Sequence, residues 1–345
     1  MSVIVTIKSL TFTTLAIPFK VTFKHSSASR KSTQAVWVEA HSDAGQVGYG
    51  EGCPREYVTG EGLASAEIFF QRHRADLMDR VTDVDSLRDW AAENATAVDA
   101  NPAAWCAIEL ALLDLFAKDQ GVTVEQLLGL KPLLSRFHYS AVLGDGNIEN
   151  FRATLSRYHQ MGFKDFKVKL SGDLEQDKAK AATLAATLSE ATRLRLDANN
   201  LWNDMAEAAS YLESLQLPIF AIEEPLQAFD YEGLKNLSIA TGYQIILDES
   251  LLIANQVKLL PAPSSTWIAN IRVSKMGGLL RSLEVIEAAI AANIDIIVGA
   301  QVGETSLLTR AGITVASQVG ERLIAQEGAF GTLLLESDIC SPALM

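Results

Sequence analysis

From about residue 136 onward, short apolar strands alternate with helical stretches, and this alternation constrains the fold more than any other feature of the sequence. The strand candidates are FHYSAVL, FKDFKVKL, RLRLDANN, IFAIEEP, YQIILDES, WIANIRVSK and IDIIVGA. Helical patterns lie between them, at 148–161, 174–190, 204–215, 234–241 and 279–292. Such alternation predicts right-handed βαβ units and a parallel sheet. Seven units favour a (β/α) barrel over the alternative, an open doubly wound α/β sheet.

The first part of the chain has a different pattern. Residues 3–52 alternate apolar and polar in three runs, which predicts an antiparallel meander. Helical periodicity follows at 63–80, 84–94 and 102–119, with Asn101 as the expected N-cap of the last helix. We therefore expect an α+β domain at 1–125, a barrel at 126–327, and a C-terminal segment at 328–345 that returns to the first domain.

Composition narrows the possible partners and locations. The formal net charge is −13, which disfavours binding to nucleic acid. No apolar run reaches the ~18 residues of a membrane span, and the start lacks the pattern of a signal peptide, so we expect no membrane contact and a cytoplasmic location. Cys53, Cys106 and Cys340 form no CxxC pair, so three free thiols are expected rather than a disulfide or a zinc site.

Charged residues recur where the predicted strands end. Lys169, Asp197, Glu223, Asp248 and Arg272 follow one another at intervals of 28, 26, 25 and 24 residues, about one βα unit each. In a barrel these strand ends meet at one mouth. Three neighbouring carboxylates repel one another unless a cation lies between them, and a set of hard oxygen ligands favours Mg²⁺, or else Mn²⁺, over zinc. The alternative is that each acid caps the following helix.

Other side chains share these faces. Asn199 is two residues after Asp197 and is a candidate for contact with the metal's outer sphere, or else a turn residue. Lys167 and Lys169 share a strand face, and repulsion between two ammonium groups predicts a pKa lowered toward that of a base. The alternative is a solvated lysine pair on an edge strand.

The stretch NIRVSKMGG, residues 270–278, carries two further cations. If the strand alternation continues, Arg272 faces the site and Lys275 turns away. A guanidinium is not an ordinary acid or base near neutral pH, but it can hold a carboxylate or an enolate.

Several motifs together resemble the enolase superfamily, in particular its muconate lactonizing group, which includes muconate cycloisomerase, o-succinylbenzoate synthase, N-succinylamino acid racemase and dipeptide epimerase. They cover nearly the whole chain: VGYGEGCPREYVTGE, AIELALLDLFAKDQGVTVEQLLG, FKVKL, LDANN, IEEP, LDES, SKMGG and FGTLLL. The resemblance implies a capping domain over a (β/α)7β TIM-like barrel. It also implies Mg²⁺ held by Asp197, Glu223 and Asp248, and a small-molecule carboxylate whose α-proton Lys169 removes to form an ene-diolate.

The chain departs from this group at Arg272, where a lysine is usual. Racemases and epimerases on this scaffold need a base on each face of the α-carbon, so the arginine favours a one-base lyase or cycloisomerase using Lys169. One alternative is a two-base racemase or epimerase of N-acylamino acids or dipeptides using Lys169 and Lys275. Two others are a non-catalytic ligand-binding barrel and a Schiff-base aldolase.

The resemblance further implies that capping-domain loops set substrate specificity. They correspond to residues 24–32, with Lys24 and Arg30, and residues 55–61, with Tyr57. Glu304 lies just past the seventh strand and is placed to reach the mouth. Glu327 is a candidate ligand for a substrate ammonium group, or else a surface residue in a loop. We also expect a homo-oligomer.

Overall fold

The computed structural model describes residues 4–25, 28–133, 136–144, 146–189, 191–328 and 333–344. It describes the side chains of all these residues except 21–25, 28 and 29. The strands are β1 (Ile7–Leu15), β2 (Pro18–His25), β3 (Ala28–Ser32), β4 (Ala35–Ser42), β5 (Val47–Gly52), β6 (Ala141–Leu143), β7 (Asp165–Lys169), β8 (Arg193–Asp197), β9 (Ala221–Glu223), β10 (Gln244–Leu247), β11 (Trp267–Ile271), β12 (Asp295–Val298) and β13 (Leu323–Gln326). The helices are α1 (Glu56–Thr59), α2 (Leu63–Arg80), α3 (Val84–Glu93), α4 (Ala95–Ala100), α5 (Pro102–Asp119), α6 (Val124–Leu127), α7 (Ile148–Gln160), α8 (Leu174–Thr187), α9 (Met205–Leu215), α10 (Tyr231–Thr241), α11 (Val273–Met276), α12 (Leu279–Ala291) and α13 (Ser306–Val319). Short 3₁₀ turns lie at Ala254–Leu259, Ser264–Thr266 and Gly320–Arg322.

Strands β6 to β13 form an eight-stranded parallel sheet in chain order. The sheet curls until its first strand meets its last, where Ser140 N donates to Gln326 O at 2.7 Å. β11 is buried at every position, as expected of a parallel strand covered on both faces. The prediction of a barrel preceded by an α+β domain is confirmed.

The N-terminal domain contains a three-stranded antiparallel sheet in the order β1-β4-β5. A second element, the hairpin formed by β2 and β3, occupies most of the segment expected to be a loop at 24–32. Strand β2 begins with Pro18, and proline is tolerated as the first residue of a strand. The loop expectation is therefore wrong for most of this segment.

Helix α5 is buried on nearly all sides between the antiparallel sheet and the barrel, with 15 of its 18 residues buried. Gly48, Gly50 and Gly52 lie on one face of β5 against it. A Cβ at these positions would lie 2.1, 1.9 and 1.9 Å from carbonyl oxygens of α5. Only glycine therefore permits this backbone contact between β5 and α5.

The N-terminus of α5 is capped by a residue distant in sequence. Among the residues that the structure describes, the Asn101 side chain makes no capping hydrogen bond, contrary to expectation. The Glu61 carboxylate instead accepts from Ala103 N at 2.7 Å and from Ala104 N at 2.9 Å. A buried carboxylate satisfies two free amides at once and interacts favourably with the positive end of the helix dipole.

The C-terminal segment contacts the hairpin. Leu335 bridges Phe19 in antiparallel fashion, Lys20 N donates to Leu334 O at 2.8 Å, and Glu336 N donates to Pro18 O at 2.9 Å. Residues 330–332 of the FGTLLL motif lie outside the described residues. In the part of the chain that the structure describes, no helix has the length and apolar character needed to cross a membrane.

Candidate active site

Three carboxylates lie side by side at the carboxyl ends of neighbouring strands. Asp197 ends β8, Glu223 ends β9, and the two residues pair in the strand register. Asp248 directly follows β10. At most 1% of each of the three residues is exposed. Acids buried this close together repel one another unless cations lie between them.

Two lysines of β7 supply part of the positive charge. Lys167 Nζ lies 2.8 Å from Glu223 Oε1 and 3.2 Å from Asp197 Oδ2. Lys169 Nζ donates to Asp197 Oδ2 and to Asn199 Oδ1, each at 3.0 Å. The Asn199 side chain therefore contacts the ammonium of Lys169, and the Asn199 backbone N donates to Asp197 Oδ1 at 3.2 Å.

The pKa of Lys167 is raised, whereas the sequence predicted a lowered pKa. Burial does disfavour the charged form, but the carboxylates of Asp197, Glu223 and Glu327 outweigh burial and raise the pKa of Lys167. Burial also disfavours the charged form of Asp197, which raises its pKa, but Lys167 and Lys169 outweigh burial and hold the pKa of Asp197 below its ordinary value. Lys167 is therefore a fixed positive charge among the acids.

Arg272 faces Lys169 across the barrel, because β7 and β11 are four strands apart in the eight-stranded sheet. Arg272 Nη2 contacts Asp248 Oδ2 and lies 3.2 Å from Glu223 Oε1. Its Nη1 donates to Gln301 Oε1 at 3.1 Å. The guanidinium thus bridges two of the three acids from the wall opposite Lys169.

Lys275 lies on a short helix and not on the strand. β11 ends before Arg272 and α11 carries Lys275, so the alternation used to predict opposite faces does not extend to Lys275. Lys275 Nζ donates to Asp248 Oδ1 at 2.9 Å, to Asp248 O at 2.7 Å and to Asn270 O at 2.8 Å. Lys275 is not among the described residues that line the cavity beside this cluster.

The three acids have the donor chemistry of a magnesium site. Glu223 Oε2 and Asp248 Oδ2 are buried and accept no hydrogen bond of good geometry from any described residue, although Lys167 and Arg272 lie near them. Within the described ranges, no three His, Cys, Asp or Glu side chains are arranged to hold a metal ion. Each of the three acids instead contacts a lysine or an arginine. Carboxylate oxygens with free lone pairs suit Mg²⁺, so these residues fit the metal.

A cavity of about 230 Å³ opens beside the cluster. Charged and polar side chains line one part of it: Lys167, Lys169, Asn199, Glu249, Arg272 and Glu327. Aromatic and apolar side chains line the rest, among them Tyr57, Tyr139, Tyr158, Phe163, Val302 and Leu333. The cavity therefore suits a ligand with one anionic end and one apolar part.

Glu327 and Glu304 are both buried acids. Glu327 is 6% exposed, accepts from Arg195 Nη2 at 2.9 Å and lies 3.4 Å from Lys167 Nζ, so the surface-loop alternative is wrong. Glu304 is 4% exposed and accepts from Gln301 N at 2.6 Å. Burial raises the pKa of Glu304 to about 8. Glu304 is not among the described residues that line the cavity.

The capping domain contributes Tyr57 to the cavity wall. The Arg30 guanidinium lies 5.3 Å from the centre of the Tyr57 ring, and Arg30 Nε donates to Gln34 Oε1 at 2.9 Å. Burial, followed by the nearby charge of Arg55, lowers the pKa of Arg30. The side chain of Lys24 lies outside the described residues.

Sequence reasoning missed two residues that support the cluster. Glu224 Oε1 accepts from Asp248 N at 2.7 Å and so fixes the main chain that carries this acid. Arg195 is buried and binds Glu327. The available signals were the paired acids in IEEP and the position of Arg195 two residues before Asp197, on the same strand face.

Comparison with known proteins agrees with this architecture. Residues 6–129 match the family model described as mandelate racemase / muconate lactonizing enzyme, N-terminal domain. Residues 150–344 match the model described as enolase C-terminal domain-like. Together the two matches cover both the capping domain and the barrel.

Similar proteins include several epimerases and racemases. The chain is 28% identical to a hydrophobic dipeptide epimerase of Enterococcus faecalis, over 88% of this chain and 83% of the relative. It is 26% identical to an N-succinyl-L-Arg/Lys racemase of Bacillus cereus, over 94% and 87%. A solved structure of a dipeptide epimerase from Methylococcus capsulatus, complexed with Mg and the dipeptide L-Arg-D-Lys, matches with a TM-score of 0.82 at 27% identity, over 97% and 93%. The protein is an enzyme of the mandelate racemase / muconate lactonizing enzyme family, within the enolase superfamily.

Proposed function

We propose that this protein epimerises or racemises the α-carbon of a small carboxylate, either a dipeptide or an N-acylated amino acid, with Mg²⁺ as cofactor. The observation that carries the proposal is the position of Lys169, an amine in the cavity wall next to three buried carboxylates. The relatives named above act as epimerases and racemases, which supports this two-base reaction over the one-base reaction that the sequence alone favours.

The residues of the site have different roles in this proposal. Asp197, Glu223 and Asp248 would hold Mg²⁺, whose charge stabilises the negative charge that develops on the substrate carboxylate when the α-proton leaves. Lys169 removes or returns the proton on one face of the α-carbon, and Asn199 orients its Nζ through the 3.0 Å hydrogen bond. Lys167 stays charged and keeps the acids close together.

Inversion also requires proton transfer on the opposite face. In this proposal Lys275 supplies that group, since it belongs to the segment that follows β11, across the barrel from Lys169. Lys275 Nζ donates to Asp248 and Asn270, so at least one of these three hydrogen bonds must break before the amine can reach a substrate.

A second candidate function is a one-base lyase or cycloisomerase. The specific observation in its favour is Arg272, which stands in the cavity wall opposite Lys169 where a second base would be expected. A guanidinium does not exchange protons readily near neutral pH, but it holds an anion through two parallel hydrogen bonds. With Arg272 in that role, only Lys169 would move a proton.

Reaction in D₂O distinguishes the two candidates. Mg²⁺-loaded protein is incubated with dipeptides and N-succinylamino acids, and the products are resolved by chiral chromatography and mass spectrometry. We expect deuterium at the α-carbon with inverted configuration, lost in Lys275→Met, while Lys169→Met loses exchange from one stereoisomer. The matched control is Lys178→Met, which removes an exposed lysine of α8. Exchange with retained configuration, or an eliminated or cyclised product, would favour the second candidate.

A further inference from the structure

Arg55 is a buried cation with no carboxylate partner in the described part of the chain. It is 1% exposed, and none of the described acids lies within ion-pair distance of it, although its positive charge acts at longer range on Glu304, where it opposes the effect of burial on the pKa. Arg55 Nη1 donates to Gln34 O at 3.1 Å and to Pro54 O at 2.6 Å. Its Nη2 donates to Thr33 O at 3.2 Å and also to Val302 O. Burying an unpaired charge costs stability, so this residue calls for a functional explanation.

These carbonyls belong to separate parts of the fold. Thr33 and Gln34 form the link between β3 and β4, at the base of the β2–β3 hairpin, where Thr33 N donates to Ile17 O at 3.0 Å. Gln34 also accepts from Arg30 in β3. Val302 belongs to the loop of residues 299–305 that follows β12 in the barrel. Arg55 therefore joins the hairpin base to a barrel loop.

The 299–305 loop is held against the capping domain at two further points. Gly303, at φ 92°, packs on Thr33, since a Cβ there would lie 3.1 Å from Thr33 Cα. Thr305 N and Oγ1 donate to the Glu51 carboxylate at 2.9 and 2.6 Å. The capping domain thus fixes the path of this loop.

The same loop helps to fix the position of Arg272, together with Asp248 and Glu223. Gln301 Oε1 accepts from Arg272 Nη1 at 3.1 Å, and Gln301 is fixed in turn by Glu304, whose Oε1 accepts from Gln301 N. Val302 itself lines the cavity. A shift of the loop would therefore move the guanidinium that faces Lys169.

We propose that Arg55 is a positioning residue that couples the β2–β3 hairpin to the 299–305 loop and, through Gln301, to Arg272 in the cavity. Its planar fork reaches carbonyls on both sides of the domain boundary, which a lysine ammonium at the same site cannot do with the same geometry. The coupling itself does not depend on the reaction catalysed. Only its kinetic consequence rests on the proposed function.

Hydrogen exchange followed by mass spectrometry tests the coupling without any substrate. The variants are Arg55→Met, Arg55→Lys and the control Arg281→Met, which breaks another contact between capping domain and barrel, to Asp99, away from the described cavity wall. In Arg55→Met we expect peptides covering 28–34 and 299–305 to exchange at least ~10-fold faster, both together, with Arg55→Lys intermediate. Arg281→Met should leave both segments unchanged.

Faster exchange in only one segment, in neither, or equally in the control would overturn the proposal. Where a substrate is found, a second measurement applies below the melting temperature of every variant. We expect kcat/KM to fall ~10- to 100-fold in Arg55→Met but not in Arg281→Met. If no substrate is turned over by the wild type, the proposed function fails while the exchange result still decides the coupling.

Discussion

At the scale of single residues, Arg272 determines what the cavity wall opposite Lys169 can do. It is fixed by Asp248, Glu223 and Gln301, and each contact uses the planar geometry of the guanidinium. A lysine there would be shorter, would lose the simultaneous contact to Gln301 and the acids, and would bring a group able to exchange a proton.

Arg272→Lys is therefore predicted to change the stereochemistry of the reaction. We expect the ratio of inverted to retained product to rise by at least ~10-fold, because the new amine faces the α-carbon directly, whereas Lys275 must first break a hydrogen bond to reach it. The measurement is α-deuterium incorporation with chiral resolution, compared with Arg272→Gln, which keeps a polar group but adds no base. An unchanged ratio in Arg272→Lys would show that Lys275 alone serves the second face.

The sequence predicted the side of Arg272 better than that of Lys275. Arg272 directly follows β11 and keeps an extended backbone, with φ −116° and ψ 118°, so the strand alternation still determines which way it faces. Lys275 lies beyond the strand, on a helical turn closed by Gly277 at φ 85°. The glycine pair after Lys275 was visible in the sequence, but where the strand yields to the helix depends on packing against α5.

At the scale of elements, buried glutamates cap helix N-termini from a distance. Glu61 caps α5, Glu51 binds the first turn of α13 at Leu308 N, and Glu109 on α5 accepts from Leu280 N at the start of α12. Two of these contacts cross from the capping domain to the barrel. Each acid loses its hydration, and helix-terminal amides replace part of it.

The cap at Glu61 makes stability depend on pH. Burial raises its pKa to about 7 against the opposing hydrogen bonds from Ala104 and Ala103. Between the pKa of an unfolded glutamate, about 4.3, and this raised pKa, the folded state binds more protons than the unfolded state. The contribution of Glu61 to the free energy of unfolding is therefore complete at low pH and is lost as pH rises. The free energy of unfolding should fall less steeply between about pH 5 and pH 7 in Glu61→Gln than in the wild type, and we predict a difference in slope of up to about 1.4 kcal/mol per pH unit.

Urea unfolding of the wild type and Glu61→Gln across that range is the measurement. Glu67→Gln, a change at an exposed position of α2, is the matched control. Parallel pH profiles for the wild type and Glu61→Gln would mean that the Glu61 carboxylate stays charged in the folded protein.

These caps were beyond the reach of sequence reasoning. Asn101 carried the local signal for an N-cap, yet a glutamate 40 residues earlier makes the contact with α5. Local patterns located the ends of α2 and α5 well because periodicity and proline act within a few residues. Long-range caps depend on which elements pack together, and periodicity does not encode that.

At the scale of the whole molecule, the alternation of seven strands with helices was enough to predict the barrel, and the regular spacing of strand-end charges was enough to predict its three neighbouring acids. It could not predict the ion-pair network around them. That network depends on side chains in β7 and β8 and directly after β11 and β13, which meet only once the sheet has curled.

We predict that Mg²⁺ stabilises the folded protein by binding to Asp197, Glu223 and Asp248. At a concentration 100 times its dissociation constant, Mg²⁺ should add about 2.7 kcal/mol to the free energy of unfolding. Thermal unfolding with Mg²⁺ and with EDTA measures this. Asp248→Asn should lose most of the increment, and Asp99→Asn, at an exposed capping-domain position, should keep it. Equal increments in the two variants would place the metal elsewhere.

The glycines of β5 also bear on how such a protein can be recombined. Because Gly48, Gly50 and Gly52 bring β5 into backbone contact with α5, and α5 in turn contacts the barrel through Glu109, the helix is shared by both halves of the molecule. A chimera joined between β5 and α5 would pair a strand with a helix never matched to it. A foreign capping domain is compatible with this barrel only if it brings its own α5 and a glutamate that fits the start of α12.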